Sequence, residues 1–212
     1  MDAHRGSRHA LPEGRSFARP SSSTPGMITT MTSPLVRVLC LAMLVAASTG
    51  LSASESPLTT LPQHVVLGER LHVSGQPSVV DIARLRSAGI STVIDLRPDG
   101  ETPDLDERAA VEAAGLKYLS LPIANGADLT PENVRRFDQL LRQTATDTVL
   151  LHCASGNRVG ALLALRSRWL QGKTPDESLA LGKRAGMTGL SPTVQKLLEA
   201  PVPPVDPTKD AP

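Results

Sequence analysis

From residue 64 to residue 200 the chain alternates short β-rich runs with stretches whose apolar positions recur at helical spacing. Residues 92–97, 118–123 and 148–152 are the strand-like runs, rich in Val, Ile, Leu and Thr and bounded by turn residues. A strand or hairpin around residues 65–73 adds to the sheet edge. Helices are predicted over residues 79–87, closed by Gly89, and over 105–114, closed by Gly115, because glycine past the last turn tolerates left-handed geometry. Thr130-Pro131 opens the next helix, and Val134, Phe137, Leu140 and Leu141 fall on one of its faces. Residues 159–170 form an Ala- and Leu-rich helix. Thr174-Pro175-Asp176-Glu177 is a capping box for a helix running to Arg184, and Ser191-Pro192 starts the last one. Strand alternating with helix gives an α/β fold, a single domain with a central, mostly parallel sheet flanked by helices.

Outside this stretch the periodicity fades. Residues 1–53 form an N-terminal extension with an export signal. Arg37 precedes the apolar run Val38 to Ala47, and small residues follow, with cleavage expected after Ala47 or Ala53. Met27 or Met31 makes a better start for such a signal than Met1. The apolar run is shorter than the roughly 20 residues that cross a bilayer, so no membrane span is expected after cleavage. The expected location is periplasmic or secreted. Residues 54–63 are expected as a linker, residues 64–200 as the domain, and the proline-rich residues 201–212 as a disordered tail.

Composition narrows the function classes. A formal charge of +1, with charges of both signs interspersed and aromatics at 2%, offers no basic track for nucleic acid. The core has to be built from Leu, Val, Ile and Ala. Of the two cysteines, Cys40 lies in the signal, so the mature chain keeps only Cys153 and forms no internal disulfide. The five histidines are scattered, and no Cys or His pair has zinc spacing. Neither a metal nor a cofactor is expected.

That cysteine follows the third strand-like run. His152-Cys153 leads through Ala154, Ser155, Gly156 and Asn157 to Arg158 and the Ala- and Leu-rich helix. A thiol there sits at the carboxyl end of a buried strand and faces a helix amino terminus, the crevice where open α/β sheets bind ligands. Free amides and the positive helix end stabilise an anion, a thiolate included. Gly156 lets the loop bend with its amides inward, and the planar fork of Arg158 can grip two oxygens of a phosphate or sulfate. The loop thus offers an activated nucleophile together with a stabiliser of charge on the transferred group. A cysteine at the end of an apolar strand can also be a small core residue. His152 either tunes the thiolate or fills the strand end. Asp95 and Arg97, at the end of another buried strand, either order the cysteine loop or form a surface ion pair.

Ser74-Gly75-Gln76-Pro77-Ser78, residues 89–101 and the loop from His152 to Gly160 resemble the phosphatase-like domain of the beta-lactamase-hydrolase-like proteins, relatives of the dual-specificity and tyrosine phosphatases. The resemblance covers about residues 64–198. It implies a cysteine-dependent phosphatase fold in which Cys153 forms a phosphocysteine, Arg158 holds the phosphate, and a phosphorylated protein or small molecule is the substrate. Three departures from the tyrosine-phosphatase pattern stand out. Four residues rather than five separate Cys153 from Arg158; Val159 replaces the hydroxyl residue after the arginine; and Asn125 stands where the general-acid aspartate is expected. Asp128, slightly downstream, is the candidate proton donor, or else a turn residue ahead of the Thr130 cap. The spacing also resembles the active loop of rhodanese-type sulfurtransferases, which carry a persulfide. Sulfur transfer and a non-catalytic oxyanion-binding module are therefore the alternative readings.

Overall fold

The computed structural model describes Leu58 and residues 60–204. The predicted export signal, Cys40 and the tail beyond residue 204 lie outside the described residues. Five strands form one sheet: β1 (Val65–Leu67), β2 (Leu71–Ser74), β3 (Thr92–Asp95), β4 (Lys117–Ser120) and β5 (Val149–His152). Their order is β1-β2-β5-β3-β4; β1 is antiparallel to β2, and every other pairing is parallel. The expected α/β architecture is the observed one. Six α-helices connect and cover the described sheet: α1 (Val79–Leu85), α2 (Glu107–Ala113), α3 (Pro131–Gln143), α4 (Asn157–Trp169), α5 (Pro175–Arg184) and α6 (Ser191–Glu199). Among the described residues no helix is long and apolar enough to cross a membrane.

Side chains alternate across the sheet, and each face has its own core. Val73, Ile94, Val149 and Leu151 point to one face, where α3, α4 and α6 bring Phe137, Leu162, Leu165, Val194 and Leu198. Val93 and Leu150 point to the other, where α1 and α2 bring Ile82, Leu85 and Val111. Leu58 and Leu61, in the stretch expected to be linker, are 5% and 4% exposed and belong to this second core. A turn closed by Leu61 N–H donating to the Leu58 carbonyl places them there. Fully burying a leucine contributes about 1.5–3 kcal/mol, enough to fix such a segment.

Several predicted boundaries shift. The run expected to extend to Arg97 stops at Asp95, because Arg97 N–H donates to the Asp95 carboxylate, 2.8 Å away, instead of a neighbouring strand. The next strand ends at Ser120 rather than Ile123, ahead of Pro122, which has no N–H for a ladder. Helix α4 begins at Asn157, two residues earlier than expected, and ten of its thirteen residues are buried. It is the central helix of the molecule. Its Gly160 packs so closely on α5 that a Cβ there would lie 2.5 Å from the Gly182 carbonyl oxygen and 2.6 Å from Met187 N.

Candidate active site

Because β2, β5 and β3 run parallel and in register, Ser74, His152 and Asp95 end in one row. Past that row the chain leaves β5 at Cys153, which is fully buried. Ala154 and Ser155 form an exposed arc tied to the segment after β2: Gln76 N–H donates to the Ala154 carbonyl at 3.1 Å, and Ser155 bridges to Gly75. Gly156 then takes φ 79°, a left-handed turn that costs glycine little, and caps α4 without a side chain. The first bond of α4 runs from Gly160 N–H to the Gly156 carbonyl, 2.9 Å. The preceding amides of the loop and first turn thus lack helical partners and gather at the positive end of the helix.

Arg158, in that first turn, is 9% exposed. Its two terminal nitrogens donate to the Glu101 carboxylate, Nη1 to Oε2 at 2.7 Å and Nη2 to Oε1 at 2.5 Å. Nη1 also donates to the Ile123 carbonyl at 2.9 Å. The bonds to Glu101 hold the guanidinium above its ordinary pKa against the opposing effect of burial, and the Cys153 sulfur adds to the rise. Arg158 is therefore paired with an acidic residue of the β3–α2 loop. Glu101 entered the sequence reading only as part of a motif, and nothing in spacing alone ties it to an arginine 57 positions later.

A second set of charges lies buried on the opposite face of the sheet. Arg97, 7% exposed, forms a salt bridge from Nη2 to Asp95 Oδ2 at 2.7 Å and to Glu107 Oε2 at 2.5 Å, and donates from Nη1 to Thr102 at 2.6 Å. Gln76 Nε2 donates to Glu107 at 2.8 Å, and the Tyr118 hydroxyl donates to Asp95 at 3.0 Å. His152, fully buried, brings Nε2 to 2.7 Å from Glu107 Oε1 and 3.7 Å from Asp95 Oδ1. The closer approach lies off the direction of the ring N–H, so it is an electrostatic contact and not a directed hydrogen bond. Burial pushes the Asp95 carboxyl up, but the Arg97 bonds and the nearby His152 outweigh it and leave the pKa below the usual carboxylate value. Burial and the Asp95 charge push the Tyr118 hydroxyl well above its usual range. A cleft of about 250 Å³ lined by Arg97, Thr102, Glu107 and Tyr118 opens beside this cluster.

Asp95, Glu107 and His152 offer ligand-type atoms within 4.8 Å of one another. Arg97 Nη2 already sits against both carboxylates, so a divalent cation at the trio would be placed beside a buried guanidinium, a like-charge contact that opposes its binding. The trio is therefore read as an ion network. It decides between the two expectations for Asp95 and Arg97: they do not form a surface pair, and they lie beneath the residue that precedes Cys153. Glu107, Gln76 and Tyr118 were missed. Glu107 in a helix's first turn is the ordinary complement to the dipole, and only the packing of α2 turns it inward.

The remaining candidates are spread around the loop. Asp128 closes a 3-10 turn (Gly126–Asp128), and its Oδ2 accepts from Ala124 N–H at 2.7 Å and Asn125 N–H at 3.2 Å. Oδ1 stands outside these bonds. Asn157 Oδ1 accepts from Thr188 N–H at 2.8 Å and Leu190 N–H at 3.2 Å, anchoring the turn after α5 to the start of α4. Val159, where a hydroxyl residue was expected, is fully buried in the main core.

Comparison with known proteins fits this geometry. Residues 64–168 match the family model of the beta-lactamase hydrolase-like protein, phosphatase-like domain. A beta-lactamase hydrolase-like protein of Xylella fastidiosa strain Temecula1 is 37% identical over 127 residues, covering 58% of this chain and 29% of that protein. The chain thus spans less than a third of this longer relative. A DUF442 protein of Shewanella putrefaciens CN-32, named as a candidate phosphatase, has a solved structure that is 25% identical with a TM-score of 0.53, covering 70% of this chain and 94% of that one. A second such protein, from Neisseria meningitidis z2491, is 25% identical with a TM-score of 0.52, covering 62% and 96%. On sequence and on fold together, the domain built around Cys153 belongs to the phosphatase-like domain family of the beta-lactamase hydrolase-like proteins.

Proposed function

We propose that this chain is a cysteine-dependent phosphatase of the tyrosine and dual-specificity type, acting on a phosphorylated protein or small molecule. One observation carries the reading: Cys153 ends β5 and Arg158 lies in the first turn of α4, so the thiol, the loop amides and the guanidinium belong to one loop at a helix amino terminus. In the proposed reaction the Cys153 thiolate attacks phosphorus, an S–P bond forms, and the P–O bond to the leaving group breaks. Arg158 and the amides of Ala154, Ser155, Gly156 and Asn157 hold the phosphoryl oxygens as charge builds on them. Asp128, pinned by backbone amides through Oδ2, gives the proton to the leaving oxygen from Oδ1. Water then attacks phosphorus, its proton returns to Asp128, and the thiolate leaves with phosphate released. The buried ion network of Asp95, Arg97 and His152 holds the strand ends from which the loop springs.

Hydrolysis of an aryl phosphate by the purified protein, lost in Cys153→Ser and in Arg158→Ala, is the expected result. Equal rates in wild type and Cys153→Ser would remove the proposal. A second reading, sulfur transfer, is favoured by the four-residue interval between Cys153 and Arg158. There the thiolate takes the outer sulfur of thiosulfate, sulfite leaves, and a cyanide or thiol acceptor then takes that sulfur from the persulfide. A persulfide mass increment on Cys153 after thiosulfate treatment is its signature, and absence of the increment excludes it. The apolar run after Arg37 supports export to the periplasm or medium. Fractionation of cells expressing the full chain tests this.

A further inference from the structure

We propose that Asn157 is a positioning residue for proton transfer: its side chain fixes the turn before α6, and that turn backs the Gly126–Asp128 segment whose last residue protonates the leaving group. This rests on the reading of Cys153 as nucleophile and Asp128 as proton donor. Asn157 opens α4, but Gly156 occupies the cap position, so the Asn157 side chain is not consumed by its own helix. Its Oδ1 accepts instead from Thr188 N–H at 2.8 Å and from Leu190 N–H at 3.2 Å. Among the described residues these are the hydrogen bonds that tie residues 186–190 to the Cys153 loop. Gly186 meets the loop by packing alone, with its Cα 3.8 Å from where a Cβ on Gly156 would lie. Leu190 passes the constraint on, because its carbonyl accepts the first bond of α6, from Val194 N–H at 2.9 Å.

The start of α6 lies against the turn that carries Asp128. A Cβ on Gly126 would lie 3.4 Å from Leu190 Cδ2 and 3.5 Å from Thr193 Cγ2. On its other side the same segment is held by Arg158, whose Nη1 donates to the Ile123 carbonyl at 2.9 Å. Ala124 and Asn125 N–H pin Asp128 Oδ2 from within, so Oδ1 goes where the turn goes. Two consecutive residues of the cysteine loop therefore hold the acid-bearing segment from two sides, Arg158 directly and Asn157 through α6. In the step concerned the P–O bond breaks, its electron pair stays on the leaving oxygen, and the Asp128 proton goes to that oxygen. The donor has to stand within about 2.6–3.2 Å of it. A displacement of about 1 Å, even one caused far from the reacting atoms, can cost about 10²-fold.

The test compares kcat/KM for phenyl phosphate with that for para-nitrophenyl phosphate. Nitrophenolate leaves readily as an anion, whereas phenolate needs the proton. Asn157→Ala should lower kcat/KM about tenfold for phenyl phosphate and less than about twofold for the nitrophenyl ester. In an Asp128→Asn background the same substitution should lose its effect on phenyl phosphate, since no donor remains to be positioned. Leu190→Ala removes the contact at the far end of the chain and should give the same split; it carries the test if circular dichroism shows Asn157→Ala unfolded. An equal fall for both esters, no fall, or a full tenfold loss in the Asp128→Asn background would each overturn the proposal. If wild type hydrolyses neither ester, the phosphatase reading fails, and if Asp128→Asn treats both esters alike, the proton-donor assignment fails. Either result overturns this inference as well, and both differ from its own failure, in which Asp128→Asn shows the split and Asn157→Ala does not.

Discussion

Replacing Glu107 by alanine tests whether the charges beneath the cysteine loop act as one unit. Glu107 is 3% exposed, accepts from Arg97 at 2.5 Å and from Gln76 at 2.8 Å, and lies 2.7 Å from His152. Removing one member of a buried ion pair costs about 3–5 kcal/mol, because the partner charge is left in a dry environment. Arg97 keeps Asp95 and Thr102, so the lower end applies, about 3 kcal/mol. For a domain of this size that lowers the melting temperature by roughly 6–12 °C. Urea unfolding followed by far-ultraviolet circular dichroism measures it. A double-mutant cycle with Arg97→Met and Glu107→Leu supplies the sharper readout: the double variant should be less destabilised than the sum of the singles by about 2 kcal/mol. A loss below about 1 kcal/mol for Glu107→Ala, or a cycle additive to within about 0.5 kcal/mol, would refute the network.

Three further expectations concern separate links of the structure. Gly160→Ala forces a methyl against the Gly182 carbonyl oxygen and Met187 N, backbone atoms that cannot swing aside, and should cost about 3 kcal/mol or more in urea unfolding. A cost under about 1 kcal/mol would show that α4 and α5 separate easily. Asp95 has a lowered carboxyl pKa in the folded protein, so its network stabilises fully above the ordinary value of 3.8 and loses that contribution as pH falls through the folded value. Acid unfolding of Asp95→Asn should accordingly show a weaker dependence on pH below about 4 than wild type; an identical dependence counts against the assignment. Asp128→Asn keeps a cap for the 3-10 turn and should change stability by less than about 1 kcal/mol while lowering aryl phosphate turnover by about 10²-fold or more. Unchanged turnover would leave Asp128 a turn residue only.

The loop from His152 to Gly160 was legible because the signal is local. An apolar strand, a cysteine, a glycine and an arginine at fixed short intervals oblige the chain to turn at one point and to aim its amides one way. The alternation of runs likewise announced the α/β architecture, and the caps at Thr130 and Thr174 marked helix starts that the structure repeats. Boundaries set by a side chain bonding the backbone escaped it. Arg97 left its strand because its N–H found Asp95, and the pattern of apolar residues carries no trace of that bond.

By itself, then, the sequence determined that a thiol stands at a strand end before a helix, with four residues between it and an arginine. That information is written in neighbours along the chain, where spacing and turn chemistry suffice. Tertiary structure alone decided which charges those residues meet. Glu101 reaches Arg158 across 57 positions, and Glu107 reaches His152 from a helix on the other face of the sheet. Such pairings depend on strand order and helix packing, and an acidic residue in a loop or a first helical turn looks the same in sequence whether it faces solvent or an arginine. The parallel order β2-β5-β3 sets the row of strand ends where Glu107 meets His152, the residue before Cys153.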